Sequence, residues 1–242
     1  MSILIVDVQA FGRVLKDNVD RFAATAPDDP QTRETTRTLG DALSQFVDIA
    51  EHVDSGDEAQ SPLTSEDMDR VGDHVLTLME AVVAGVRGHI EPAEQAMLQR
   101  AVAGASVWLA RAGARLEHLE PVANAFAEVA NDTQDPAELA ELCLLMEEVL
   151  RGASPAIKSD LEASNPMRPW RVMNLNWGII ATRSHDASLM RRTFDQMAEH
   201  IPADMLSFLR EGMSEMARVG YPAGVQEVMQ GYHEQWSHRT IH

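Results

Sequence analysis

The stretch NPMRPWRVMNLNWGIIATRSHDASLMRRTF, residues 165–194, carries the pattern that decides the fold. Its large apolar residues recur at intervals of three and four, as on one face of a helix. Proline precedes the first run, and proline is favoured at the first position of a helix. We therefore predict two helices, over 169–183 and 187–200. Their apolar stripes are Trp170, Met173, Trp177 and Ile180, then Met190, Phe194, Met197 and Ile201.

Three prolines in the C-terminal half are each 33 residues apart, namely Pro136, Pro169 and Pro202. Each begins a segment with helical apolar spacing, which is a start signal for a helix. A second helix start follows each of them by 18–20 residues. The pattern predicts three antiparallel helix hairpins, formed by 136–151 with 155–164, 169–183 with 187–200, and 202–219 with 222–238.

The N-terminal half is also helical by its spacing. Apolar stripes predict helices over about 3–25, over 39–53, over 64–86 and from 91 to about 119, where Pro121 ends or kinks the last one. Alanine and glycine are frequent in that last segment, so we expect it to lie centrally. Residues 55–65 have no apolar period, and we expect a mobile loop there.

These elements define an all-α protein of antiparallel helix hairpins. We expect the C-terminal half to form a short array like an α-solenoid, and the N-terminal half to form a helical bundle packed on it. The expected division is an N-terminal helical segment over 1–90 and a hairpin-repeat region over 91–242. An irregular helical bundle whose prolines happen to be evenly spaced is the alternative.

The period of the hairpins resembles that of tetratricopeptide and related αα-hairpin repeat proteins over roughly residues 120–238. The resemblance is one of repeat length and helix pairing, since the consensus residues are absent. If Trp170 and Trp177 take the two aromatic positions of such a repeat, Asn174 stands where the first helix has glycine. The resemblance implies stacked hairpins, whose concave faces bind peptides in many helical-repeat proteins.

Composition limits the classes of partner. The formal net charge is −18, so phosphate backbones and anionic membranes would be repelled, and we expect neither nucleic-acid nor membrane binding. No apolar run approaches 18 residues, the length that a membrane-spanning helix needs. The single cysteine, Cys143, rules out a disulfide within the chain. We expect a cytoplasmic protein.

Catalytic and metal signatures are absent from the sequence. There is no GxSxG, no HExxH and no glycine-rich phosphate loop, so an enzyme is the less favoured reading. Glu234, His238 and His242 follow one another at four-residue intervals and could align on a helix. Chain ends fray, however, and we predict neither a metal nor a cofactor.

The candidate functional site is the basic stretch itself, which has five arginines and one acid in an acidic chain. Arginine binds carboxylates through two hydrogen bonds, asparagine can clamp a peptide backbone, and tryptophan supplies a rigid contact surface. We therefore predict a docking site for an acidic or C-terminal peptide of another protein. Its residues are Arg168, Trp170, Arg171, Asn174, Asn176, Trp177, Arg183, Arg191 and Arg192.

Three other readings remain open at this point. Both tryptophans could be core residues, with the arginines paired to acids of the N-terminal helices. An enzyme could have a polar pocket around Arg171, Asn174 and His185. A structural protein could self-associate as a homodimer through the small residues of helix 92–119.

Overall fold

Helices make up most of the computed structural model, which describes residues 2–25, 30–55, 63–161 and 163–239. Within these residues there are eleven α-helices and no β-strand, so the all-α prediction is confirmed. The helices are α1 Val8–Thr25, α2 Pro30–Ser55, α3 Ser65–Val86, α4 Pro92–Arg111, α5 Glu120–Asp132, α6 Pro136–Gly152, α7 Pro155–Lys158, α8 Pro169–Arg183, α9 Ala187–His200, α10 Pro202–Arg218 and α11 Ala223–Arg239.

The chain divides into two compact units. Unit 1 comprises residues 1–132 and 148–159, and unit 2 comprises 133–147 and 160–242. Helix α6 contributes its first three turns to unit 2 and its end to unit 1. This division reflects which residues contact one another and does not test where a domain begins. The domain boundary expected near residue 90 stays a prediction. Within the described residues, no helix is long and apolar enough to cross a membrane.

Helix α4 is the centre of unit 1, as its small residues predict. Its side chains from Leu98 to Leu109 are almost all buried, and α1, α3 and α5 pack around it. A Cβ atom at Gly104 would collide with the backbone carbonyl of Ile5, so glycine is required for this close approach. The small-residue face is therefore covered within unit 1, which leaves it little surface for self-association.

The first helix begins later than its stripe predicts. Helix α1 starts at Val8, and the predicted start near residue 3 is wrong. The backbone N–H of Ile5 donates to Arg100 O of α4, and Ile3 and Leu4 are buried there. The Asp7 carboxylate then accepts from the N–H of Ala10 at 2.8 Å and caps the helix start. The prediction failed because the helical spacing of apolar residues extends over residues 3–7, where the backbone is not helical.

The end of α4 also differs from the prediction. The helix stops at Arg111, because Gly113 adopts a left-handed backbone with φ of 88°. Pro121 lies in the first turn of α5 and begins that helix rather than ending α4. By contrast, the helix start predicted at residue 64 is confirmed, since Thr64 and Asp67 form a capping box. The predicted loop 55–65 lies mostly outside the described residues.

The hairpin helices of unit 2 follow the sequence prediction closely. Helices α8 and α9 have the predicted bounds, and α10 and α11 differ from theirs by a residue. Helix α8 packs along α9, α10 packs along α11, and α9 also contacts α10 and α11. The helix predicted over 155–164 is wrong in length, because α7 ends at Lys158 and Asp160 has a left-handed φ of 48°.

Candidate functional site

Arg168 lies buried at the start of α8 and is held by carboxylates of unit 2. Its Nε and Nη2 donate to the two oxygens of Asp160 at 2.5 and 2.8 Å, and Nη2 also reaches Asp204 at 3.0 Å. Its Nη1 donates to the backbone oxygen of Asn165. These carboxylates raise the pKa of the guanidinium. Such a saturated, buried cation is a structural brace.

Arg171 belongs to the same ion-pair cluster. Its Nε donates to Asp204 at 2.7 Å, and Nη1 donates to the backbone oxygen of Pro166 at 3.0 Å. Asp204 thus binds two arginines and joins the start of α8 to the first turn of α10. The carboxylates come from the C-terminal half, so the reading that these two arginines pair with N-terminal acids is wrong.

The two tryptophans of α8 lie in the core of unit 2. Trp170 is 3% exposed and Trp177 is fully buried, and the indole N–H of Trp177 donates to Cys143 O at 2.9 Å. Asn174 is also fully buried. Its amide donates to Trp170 O, and its oxygen lies 2.8 Å from Nδ1 of His200. These three side chains therefore hold the hairpin together and offer no surface to a peptide.

The outward face of α8 has a different character. Val172, Leu175 and Asn176 are half-buried, and Ile179 is 46% exposed. These positions are three and four residues apart, on the side of the helix opposite the buried tryptophans. Of the predicted site residues on α8, Asn176 is thus the one whose side chain reaches this partly exposed apolar face.

The remaining arginines of the stretch lie elsewhere in unit 2. Arg183 ends α8, about 18 Å along the helix axis from Arg171, and donates to Thr133 O at 2.7 Å. Arg191 and Arg192 are exposed on α9, and their guanidinium groups have no hydrogen bond or ion pair with any described residue. The nine predicted residues therefore form a brace, a core cluster and separate surface cations rather than one patch.

The three residues of the alternative enzyme hypothesis, Arg171, Asn174 and His185, do not line a common pocket. Asn174 is enclosed in the core, while His185 is exposed beyond the end of α8 with a left-handed φ of 59°. The His185 ring packs edge-on against Tyr221. Arg171, Asn174 and His185 therefore differ in surroundings and do not form a shared set of reacting groups.

Sequence reasoning missed a basic groove in unit 1. It has a volume of about 540 Å³ and lies where the ends of α4 and α6 meet. Leu116 N donates to Gly152 O and Ser154 N donates to Leu116 O, which joins the two helix ends. Arg111, Arg115, Arg151, Lys158 and Glu148 supply its charged side chains. The signal was a set of basic residues just before and after two helix ends, at Arg111 and at Gly152.

Two of the groove's cations have internal partners. Arg111 makes two hydrogen bonds to Glu148, at 2.7 and 2.9 Å, and this pairing lowers the pKa of the carboxylate. The Lys158 ammonium donates to Arg151 O at 2.6 Å, and partial burial lowers its pKa. Arg115 and Arg151 are exposed, and their guanidinium groups make no hydrogen bond or ion pair with the described residues.

Nucleophilic and metal chemistry find little support in the geometry. Burial raises the pKa of the Cys143 thiol to about 12, so the thiolate is scarcely populated at neutral pH. No cluster of three or more potential ligands among the described residues is arranged to hold a metal ion. The Glu234, His238 and His242 set includes a residue outside the described part of the chain.

Comparison with known proteins finds no matching family model, no similar curated protein and no similar solved structure.

Proposed function

We propose that this protein acts by binding another protein, as an adaptor, an assembly factor or a chaperone-like partner in the cytoplasm. The observation that carries the proposal is the outward face of α8, where Val172, Leu175 and Ile179 remain partly exposed. The opposite face of the same helix already has a complete core of tryptophan, methionine and isoleucine. A second apolar face on one helix is suited to a partner.

Other exposed apolar side chains support this choice of unit. Among the described residues, unit 2 contributes most of the large hydrophobic side chains that are exposed. They are Leu144, Leu161, Met167, Ile179 and Val219 in unit 2, against Leu63 and Met97 in unit 1. Large exposed apolar side chains add area that a partner can cover, and unit 2 has more of them than unit 1 among the described residues.

The partner's chemistry follows from the polar groups that remain available. Arg191 and Arg192 on α9 have no carboxylate partner among the described residues, and each can donate two hydrogen bonds to one. Asn176 can both donate to and accept from a peptide backbone. We therefore propose an acidic peptide segment with apolar residues as the ligand. A C-terminal carboxylate would use the same two arginines, because Arg168 and Arg171 already bind carboxylates of unit 2.

The proposed architecture is a short series of hairpins like that of the tetratricopeptide proteins. Contacts between residues about one period apart support it. Arg171 binds Asp204, 33 residues later, and Trp177 binds the carbonyl of Cys143, 34 residues earlier. Proteins built in this way present the exposed faces of successive helices to peptides.

A site-specific photo-crosslinker tests the proposed surface. Benzoylphenylalanine at position 179 should capture a partner in the native host, while the same group at Met97, which is 52% exposed on α4 of unit 1, should not. Identical products from both positions, or none from position 179, would overturn the proposal.

A labelled acidic amphipathic peptide tests the proposed ligand class. We expect fluorescence anisotropy to detect its binding to the wild type, and weaker binding to Ile179→Asp and to Arg191→Glu/Arg192→Glu. The variants Met97→Asp and Arg115→Glu/Arg151→Glu are matched controls in unit 1 and should bind as the wild type does. Equal binding by all variants would contradict the choice of surface.

A further inference from the structure

The basic groove of unit 1 has more positive charge than its surroundings require. Four cations line it, and Glu148 is its one carboxylate among the described residues. The ends of α4 and α6 each add about half a negative charge, and Arg111 and Arg151 lie in their last turns. Glu148, the two helix ends and Asp69, whose carboxylate accepts from the Arg115 backbone N–H at 2.6 Å, together offset about three of the four positive charges. An excess of about one remains.

The excess charge is available to a ligand. Arg115 and Arg151 are exposed and have no hydrogen-bonding or ion-pair partner for their side chains in the described chain. The Lys158 ammonium donates a hydrogen bond to Arg151 O, and an ammonium group has three donors. Burial already lowers the pKa of Lys158, so an anion nearby would favour its charged form.

The lining of the groove limits the size and kind of ligand. Besides the charged residues it consists of alanine, glycine and proline, and among the described residues it has no aromatic ring and no large aliphatic side chain. A nucleobase would find nothing to stack on. A volume of about 540 Å³ falls within the ordinary range for small-molecule sites and exceeds what one inorganic phosphate fills.

We propose that this groove binds a small polyanion, with at least two negative charges on phosphate or carboxylate groups. Arg115 and Arg151 would bind the anion through paired hydrogen bonds, and Lys158 would contribute a point charge. Glu148 holds Arg111 in place at one wall of the groove. The site lies wholly in unit 1 and is independent of the docking surface proposed on unit 2.

Isothermal titration calorimetry with pyrophosphate and with citrate tests the proposal. Both are titrated into the wild type at low salt, with sodium chloride added to match ionic strength. We expect at least one to bind, and Arg115→Glu/Arg151→Glu to weaken that binding about tenfold or more, since each arginine supplies charge-assisted hydrogen bonds. Preference for pyrophosphate or citrate identifies phosphate or carboxylate as the preferred group.

Arg191→Glu/Arg192→Glu is the matched control, with the same charge change on exposed arginines of unit 2, and should bind the anion as the wild type does. The neutral variant Arg115→Gln/Arg151→Gln should fold like the wild type by circular dichroism and still bind more weakly. Absence of binding by the wild type, or equal loss in the groove and control variants, would overturn the proposal.

Discussion

Two clusters of cations in this protein differ in what surrounds them. At the start of α8, Arg168 binds the carboxylates of Asp160 and Asp204 and is buried, and Arg171 also binds Asp204 and is half-buried. In the groove of unit 1, Arg115 and Arg151 are exposed, and their guanidinium groups have no carboxylate hydrogen-bonded to them among the described residues. The Asp69 carboxylate accepts from the backbone N–H of Arg115 only. The first cluster stabilises a fold, and the second leaves charge available. Density of basic residues in the sequence therefore does not mark a binding site by itself.

The largest expected effect comes from breaking the buried cluster. Asp204→Ala removes one carboxylate from two arginines, of which Arg168 has a side chain only 5% exposed. We expect a loss of about 3 kcal/mol in the free energy of unfolding, because the buried Arg168 loses one of its two carboxylates and Arg171 loses the carboxylate that it binds. Denaturant unfolding measures it. Glu211→Ala, on the exposed side of the same helix, is the control and should change stability by less than about 0.5 kcal/mol.

Replacing Trp170 or Trp177 tests whether these side chains stabilise the core of unit 2 or bind a peptide. Trp177→Phe leaves the buried carbonyl of Cys143 without its indole donor, and we expect a loss of about 2 kcal/mol in unfolding free energy. Trp170→Phe should cost less, since its indole nitrogen lies 3.4 Å from His200 O and its bond is weaker. Peptide binding that falls with no loss of stability in Trp177→Phe would contradict a core role.

The Arg111–Glu148 ion pair of the groove should make a small, pH-dependent contribution to the free energy of unfolding. Arg111 lowers the folded-state pKa of Glu148 below its ordinary value of 4.5. The resulting stability is fully present well above pH 4.5 and is lost as pH falls through the lower folded-state pKa. Solvent screens this pair, so Glu148→Gln should cost less than about 1 kcal/mol at pH 7. Unfolding curves of both proteins should converge toward pH 3; a constant difference would refute this pairing.

The smallest effect on stability is expected from replacing the exposed arginines of the groove, Arg115 and Arg151. Arg115→Ser/Arg151→Ser removes exposed guanidinium groups that have no hydrogen-bonding partner in the described chain, and should change unfolding free energy by less than about 0.5 kcal/mol per site. Thermal unfolding without added anion measures this. A loss as large as that of Asp204→Ala would mean that these arginines brace the fold, and the comparison of the two clusters would fail.

The sequence predicts the helices of unit 2 well because their boundaries are set locally. Proline begins α8 and α10, and Asp186 caps α9 by accepting from the N–H groups of Ser188 and Leu189. Such signals act over three or four residues and can be read directly. The apolar spacing within each helix supplies the rest.

The errors in the fold arise at helix ends that the spacing of apolar residues does not reveal. The segment before α1 has helical apolar spacing, but its backbone packs against Gly104, about a hundred residues away. The end of α4 depends on the left-handed backbone of Gly113, and the end of α7 on that of Asp160. Nothing in the periodicity of the sequence distinguishes these positions from ordinary ones.

The candidate site was harder to predict because its charged residues are brought together from distant parts of the sequence. The basic stretch is evident in the sequence, but the acids that neutralise Arg168 lie at Asp160 and at Asp204, 36 residues away. The groove combines residues near 111–115 with residues near 148–158, which only the packing of α4 and α6 brings together. Charge pairing at long range is set by tertiary structure, which residue type and spacing do not specify.

Thermal unfolding of Arg171→Glu and Arg151→Glu, each with and without pyrophosphate, tests the contrast between the two clusters most directly. We predict that Arg171→Glu melts below the wild type yet gains as much stability from pyrophosphate as the wild type does. Arg151→Glu should melt close to the wild type and gain little from pyrophosphate. An Arg171→Glu variant as stable as the wild type, or an Arg151→Glu variant with the full gain, would contradict the account.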